Sequence, residues 1–96
     1  MTRKDILVQA ERCVNGERDQ QYGNPENNFR LIADLWNAYI LGHSKFNPSL
    51  EPKDVAAMLA LLKIARIATG APKADNWVDL AGYAACGGEI DEPNND

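Results

Sequence analysis

Hydrophobic residues recur at helical spacing along most of this chain, and no stretch carries the alternating pattern of a strand. The clearest segment runs from Val55 to Ala68, is apolar except at Lys63 and Arg66, and contains neither glycine nor proline. This pattern predicts a helix. Because the segment is apolar nearly all round, we expect other elements to cover it on several sides. The sequence therefore predicts that this helix lies at the centre of the fold.

Two helices are predicted before this segment. The first has Thr2 as its cap with Asp5 three residues later, and it ends at the Asn-Gly pair 15–16. The second begins at the Asn-Pro pair 24–25 and ends at Gly42. Their apolar stripes are Ile6, Leu7, Ala10, Cys13 and Val14 in the first, and Phe29, Ile32, Ala33, Trp36 and Ile40 in the second.

Residues 43–52 contain two prolines, two serines and an asparagine, which is typical of a loop. We expect Phe46 and Leu50 to fold back from this loop onto the core. Pro52 then begins the central helix, and Gly70 ends it.

The fourth predicted helix is capped by Asp75 or Asn76 and ends at the glycines 87–88. Small residues at 81, 82, 84 and 85 predict that it approaches a neighbouring helix closely. The side chains expected to face the core are Trp77, Leu80, Ala81 and Ala84. The chain is thus predicted to be an all-α, compact four-helix domain over residues 1–88, followed by an acidic disordered tail at 89–96.

The length and charge of the chain narrow the possible partners. A domain of 96 residues has a thin core as a monomer, so we expect a homo-oligomer. The net charge of −4 comes from the tail, since residues 1–88 carry equal numbers of acids and bases. A neutral body without a basic cluster argues against duplex nucleic acid, although single nucleotides stay possible.

No apolar run is long enough to span a membrane and no signal-peptide pattern is present, so the sequence predicts a cytoplasmic protein without a membrane partner. Cys13 and Cys86 lie in helical patterns, without a second cysteine or a histidine at metal-ligand spacing. We interpret them as small apolar residues rather than a disulfide or a metal site. His43, the single histidine, is expected at the surface.

Five residues could carry chemistry. Lys63 and Arg66 are cations one turn apart on an apolar helix, while Asp75, Asp79 and Tyr83 share one face of the next helix. Buried cations need anions. The acids could pair with them and hold two helices in register, or the cations could instead bind a phosphate. The residues leave both interpretations open.

Other polar residues extend this hypothesis. Tyr22 follows Gln21 and precedes Gly23 in a polar loop, where its ring could stack on a base. Asp54, Asp75 and Asp79 could bind Mg²⁺, although a structural role at a helix start is favoured for Asp54 and Asp75. The predicted ligand-binding residues are Arg18, Tyr22, Gly23, Lys63, Arg66, Asn76, Asp79 and Tyr83.

Three segments carry a family resemblance: RDQQYGNPENNF at 18–29, DVAAMLALLKIAR at 54–66 and DNWVDLAGYAACGGEI at 75–90. With them the chain resembles small phage and bacterial proteins related to the nucleotide-modification-associated domains. These look distantly like the all-α nucleoside triphosphate pyrophosphatases of the MazG type. The resemblance covers most of the chain, and it implies a nucleotide ligand.

The resemblance is incomplete at the metal site. MazG-type enzymes hold Mg²⁺ with an E-x-x-E motif on one helix and an E-x-x-D motif on the next. Here Glu51 and Asp54 imitate the second motif, and no E-x-x-E precedes them. Cations without the full carboxylate set favour a nucleotide binder over a hydrolase, so neither a cofactor nor a catalytic residue is assigned.

The leading hypothesis is a phage-type protein, acting in the host cytoplasm, that sequesters a phosphorylated cyclic nucleotide signal of antiviral immunity without hydrolysing it. This step rests on analogy with small helical phage proteins. One alternative is a Mg²⁺-dependent MazG-like pyrophosphatase or nucleotide-modification accessory protein, in which Asp54, Asp75 and Asp79 hold the metal. Another is a structural helical interaction module, in which the buried ions only fix the helix register.

Overall fold

The computed structural model describes residues 1–16 and 25–92, and most of them lie in four α-helices. No strand occurs within these two ranges. The predicted all-α, four-helix fold class is therefore confirmed. The helices are α1 (Arg3–Asn15), α2 (Pro25–Ser44), α3 (Pro52–Thr69) and α4 (Ala74–Asp91).

The helices lie side by side in the spatial order α1, α4, α3, α2. The most extensive contact joins α3 to α4; α1 also packs on α4, α2 packs on α3, and a light contact joins α2 to α4. Within the described ranges the backbone of α1 approaches neither α2 nor α3. The helix with the most neighbours is thus α4. The prediction that the 55–68 helix occupies the centre is wrong for a single chain.

Only one side of α3 is covered. Val55, Ala56 and Lys63 are buried against the neighbouring helices. On the other side Leu61 is 62% exposed and Ile64 is 49% exposed. An apolar composition predicts that a surface is buried, but it does not say whether the covering element belongs to the same chain.

Side-chain caps fix the starts of two helices. At α1 the Thr2 hydroxyl accepts a hydrogen bond from the Asp5 N–H at 3.1 Å, and the Asp5 carboxylate accepts one from the Thr2 N–H at 3.0 Å. The predicted first helix and its cap are confirmed. At α3 the Asp54 carboxylate accepts a hydrogen bond from the Glu51 N–H at 2.8 Å. Asp54 therefore has the helix-start role that was favoured for it.

Hydrogen bonds to the Asp5 carboxylate lower the pKa of this group; the larger effect comes from the Thr2 backbone N–H and the smaller from the Thr2 hydroxyl group. Because the pKa of Asp5 is lower in the folded state than in the unfolded state, the cap stabilises the fold fully at pH values above the unfolded-state pKa. This contribution is lost as the pH falls through the lowered folded pKa.

Two predictions about the last helix are wrong. Its N-cap is Lys73 rather than Asp75 or Asn76, and it continues through Gly87 and Gly88 to Asp91. A Cβ atom at position 87 would lie 3.0 Å from the Cβ atom of Ala56 in α3. Gly87 is therefore a close-approach position inside the helix rather than its end. Residues 89–91 of the predicted tail are helical, and 93–96 lie outside the described residues.

The core-facing side of α4 also differs from the prediction. Val78, Gly82 and Cys86 are buried, whereas Trp77 is 51% exposed and Ala84 is exposed. The apolar residues of this helix are spread around its circumference, so its hydrophobic pattern does not define one face. The small residues do define it, since a Cβ atom at Gly82 would lie 3.2 Å from a methyl group of Val14. The core cluster consists of Phe29, Ala33, Val55, Ala56 and Cys86.

The loop between α2 and α3 is held by one side chain. The Asn37 amide donates to the Leu50 carbonyl oxygen at 3.1 Å and accepts from the Leu50 N–H at 3.0 Å. Leu50 packs on the core as predicted. Phe46 does not, because its side chain is 66% exposed.

We predict that alanine changes the free energy of unfolding differently at the two adjacent glycines of α4. No atom lies within 4 Å of a Cβ built on Gly88, so Gly88→Ala should stabilise the fold by about 0.5–1 kcal/mol through better helix propensity. Gly87→Ala should lose this gain because its methyl group crowds Ala56. Urea unfolding measures both free energies, and equal stabilisation by the two variants would contradict the close packing.

We predict that Asn37→Ala destabilises the fold by about 1–3 kcal/mol, because it leaves both backbone groups of Leu50 without their partner. Asn47→Ala, an exposed position in the same loop, is the matched control and should have little effect. Thermal and urea unfolding of the two variants measure the difference. Similar stabilities would mean that the loop does not depend on Asn37.

Candidate functional site

A lysine buried between two helices is the main polar feature of the core. The Lys63 ammonium lies 2.8 Å from the Asp79 carboxylate, and their side chains are 11% and 24% exposed. This ion pair joins α3 to α4, the two helices with the most extensive contact. Within the described ranges, every buried side-chain nitrogen and oxygen has a hydrogen-bond partner. Asp79 therefore offsets the cost of burying the Lys63 charge.

A second ion pair shows how the two helices run. Lys53 at the start of α3 lies 3.5 Å from Asp91 at the end of α4. Since Lys63 pairs with the earlier Asp79, the helices are antiparallel. The Lys53 and Asp91 side chains are 50% and 63% exposed, so water screens this pair far more than the buried one.

A groove of about 330 Å³ runs between α3 and α4, and neither Lys63 nor Asp79 is among its lining residues. Ala60 lies one turn before Lys63 and Tyr83 one turn after Asp79, and both line the groove. Short side chains on both helices leave this space open. The remaining lining residues are Lys53, Asp54, Ala56, Ala57, Ala84, Gly87, Gly88 and Asp91.

The structure brings together part of the predicted set. Lys63 and Asp79 form the ion pair, and half-buried Tyr83 lies beside it on the groove. Arg66 and Asp75 are exposed, and neither forms an ion pair within 1–16 and 25–92. Asn76 is half-buried in the first turn of α4. The remaining predicted ligand residues, Arg18, Tyr22 and Gly23, lie outside the described residues.

The three carboxylates of the enzyme alternative do not converge. Asp54 and Asp75 lie at opposite ends of the antiparallel helix pair, and Asp79 is engaged by Lys63. In the described part of the chain, no group of three or more histidine, cysteine, aspartate or glutamate side chains could hold a metal ion. Neither Cys13 nor Cys86 forms a disulfide bond.

Sequence reasoning missed the groove and the Lys53–Asp91 pair at its other end. Two signals could have indicated them. Alanines and glycines recur at one-turn spacing on both helices, which leaves a gap where the helices meet. The order of the charges, lysine at 53 and 63 against aspartate at 79 and 91, also matches an antiparallel pair.

Comparison with known proteins gives the family. Residues 5–91 match the domain of unknown function DUF6378. The chain belongs to this family. It is 46% identical over 79 residues to the gene 55 protein of Mycobacterium phage L5, and this alignment covers 82% of the chain and 47% of that protein. It is 37% identical over 83 residues to the gene 55 protein of Mycobacterium phage D29, and this alignment covers 86% of the chain and 51% of that protein.

The chain thus spans about half the length of these curated phage relatives. No solved structure matches it. The phage side of the predicted resemblance agrees with these matches. The link to nucleotide-modification-associated domains and to MazG-type enzymes is not among them and stays a prediction. None of the helices described here has the length and apolar character needed to cross a membrane.

We predict that Lys63→Met or Asp79→Leu alone destabilises the DUF6378 domain by about 2–4 kcal/mol, because each leaves its partner's charge stranded between helices. The double variant should be markedly more stable than either single one, which urea unfolding in a double-mutant cycle measures. Lys53→Met, at the exposed pair, is the control and should cost less than about 1 kcal/mol. Additive effects of the two core substitutions would show that the charges are not coupled.

Proposed function

We propose that this DUF6378 protein binds a phosphorylated nucleotide and retains it without hydrolysis, so that it sequesters a cyclic nucleotide signal of antiviral immunity in an infected host cell. The observation that carries the proposal is an open groove between α3 and α4, whose walls begin one helical turn from the buried Lys63–Asp79 pair. The phage relatives of the family support the biological setting.

The chemistry of the groove favours an anionic, partly flat ligand. Lys63 has three N–H donors, so pairing with Asp79 leaves capacity for a phosphate oxygen. Asp79 then orients the ammonium group, and Tyr83 contributes an aromatic ring and a hydroxyl group on the groove. The groove volume of about 330 Å³ falls within the range of small-molecule sites, near its lower end.

Lys53 on the groove, together with Lys63 one turn beyond Ala60, also favours phosphate. Lys53 lies ten residues before Lys63 on α3, which separates the two positions by about 15 Å along the helix axis. Asp91 holds Lys53 only through an exposed, water-screened contact, so an incoming phosphate can compete for it. Arg66 is exposed one turn beyond Lys63, where it can reach the outer part of a bound ligand.

Retention without hydrolysis follows from the carboxylates. Cleavage of a phosphoanhydride at a magnesium site needs several acidic ligands that converge on the metal. Asp54 instead accepts a backbone hydrogen bond at the start of α3, and Asp79 is paired with Lys63. These engagements favour binding over the enzyme alternative.

One observation favours a purely structural role. The 2.8 Å contact already neutralises Lys63, so the ion pair could serve only to fix the register of α3 and α4. In that case the groove takes no nucleotide, and the helical domain acts as an interaction module.

A depletion-and-release assay separates these functions. The protein is incubated with nucleoside triphosphates, cyclic dinucleotides and cyclic ADP-ribose isomers, with and without Mg²⁺, then filtered and heat-denatured. We expect at least one nucleotide to be depleted and to return intact. A cleaved product would show an enzyme, and no depletion would favour the structural module.

The variant test uses the charge-free double variant Lys63→Met with Asp79→Leu, because removing both charges spares the fold. We expect it to bind the depleted nucleotide at least about tenfold more weakly than the parent, since a charge-assisted hydrogen bond is lost. Lys4→Met, an exposed lysine on α1, is the control and should bind as the parent does. Unchanged binding by a folded double variant would remove Lys63 from the site.

A further inference from the structure

The side of α3 that faces away from the core is apolar and exposed. Leu61 is 62% exposed, Ile64 49%, Leu62 44% and Met58 39%. We use the name outer face for this surface, whose six residues are Ala57, Met58, Leu61, Leu62, Ile64 and Ala65. None of the six is charged. Contiguous exposed apolar residues on one helix are typical of an interaction surface rather than of scattered surface variation.

The exposed area of the chain is large for its mass. Its accessible surface is 7024 Å². A folded monomer of 10.6 kDa is expected to expose roughly 5500 Å², so the excess is about 1500 Å². Standard interfaces bury about 800 Å² on each partner, and obligate homodimers bury more. A stable homodimer removes an area of this order from each protomer, and the outer face is one of several exposed apolar surfaces that contribute to the excess.

The order of residues along the outer face fits a second copy of the same helix. Counted from Leu61, the residues three positions away are Met58 and Ile64, and those four positions away are Ala57 and Ala65. The pattern of small and large residues is thus nearly the same in both directions. A two-fold axis through Leu61 would place Met58 opposite Ile64 and Ala57 opposite Ala65 on an antiparallel copy, as an isologous interface requires, while Leu62 would lie opposite the smaller Ala60.

We propose that the protein forms a two-fold symmetric homodimer in which the outer faces of two α3 helices pack antiparallel, with Leu61 at the axis. This interface lies on the side of α3 away from Lys63, and Ala57 is the one residue that it shares with the lining of the proposed nucleotide groove. Size-exclusion chromatography with light scattering tests it directly. The parent is expected at twice the 10.6 kDa chain mass.

Leu61→Glu places two like charges together at the centre of the interface. It should raise the dissociation constant of the dimer about a hundredfold or more, as hot-spot substitutions do in both copies at once. Leu7→Glu is the matched control, since Leu7 is 64% exposed on α1 and that helix does not approach α3. A monomeric parent, or an unchanged dimer with Leu61→Glu, overturns the proposal; a monomeric parent would leave this face to another protein or to further domains such as the longer relatives have.

A second variant covers the case in which the separated Leu61→Glu chains unfold. Leu61→Cys, next to the two-fold axis, should form a disulfide-linked dimer on mild oxidation, seen on a non-reducing gel. Leu7→Cys and the parent, whose own cysteines are Cys13 and Cys86, should show none of this product. Absence of the Leu61→Cys cross-link overturns the antiparallel arrangement even if a dimer forms.

Discussion

A lysine ammonium group between two apolar helices needs an anion within reach, and this requirement governs the arrangement of α3 and α4. Lys63 finds that anion in Asp79 at 2.8 Å. The second ion pair, between Lys53 and Asp91, joins the start of α3 to the end of α4. Together the two pairs make the helices antiparallel. Close approach at Gly87 then brings the backbone of α4 against Ala56. The register of the helix pair, and with it the groove, depends on where one buried charge can be satisfied.

The sequence predicts the helices better than their faces. Caps and breakers are local signals, so Thr2 and Pro52 mark helix starts correctly. A helix break at Gly87 was wrong because glycine also serves where two helices touch, and this use depends on tertiary contact. Similarly, Trp77 was expected in the core and is half exposed. Where apolar residues are spread around a helix, as they are on α4, the hydrophobic period does not select a buried face.

The charged residues of the candidate site were predictable from the sequence, but their arrangement was not. The cost of a buried, unpaired cation identified Lys63 and its need for an acid, and the i, i+4 spacing of the acids offered Asp79. The same spacing offered Asp75, which is exposed. Which of the two acids meets Lys63 depends on the register of α3 against α4, and the spacing within one helix does not fix that register. The groove was not predictable from titratable residues, since alanine and glycine form most of its walls. An open space between small residues is visible only after the helices are placed.

The side chains of α3 divide this helix into sides of different chemistry. The side toward α4 carries a buried, paired cation, and the groove between α3 and α4 begins one turn away from it. The outer face carries no charge, so it gains free energy only by losing contact with water. The proposed binding site and the proposed assembly surface need opposite chemistries, and one helix can supply both because the two surfaces lie on adjacent sides of its axis and meet at Ala57.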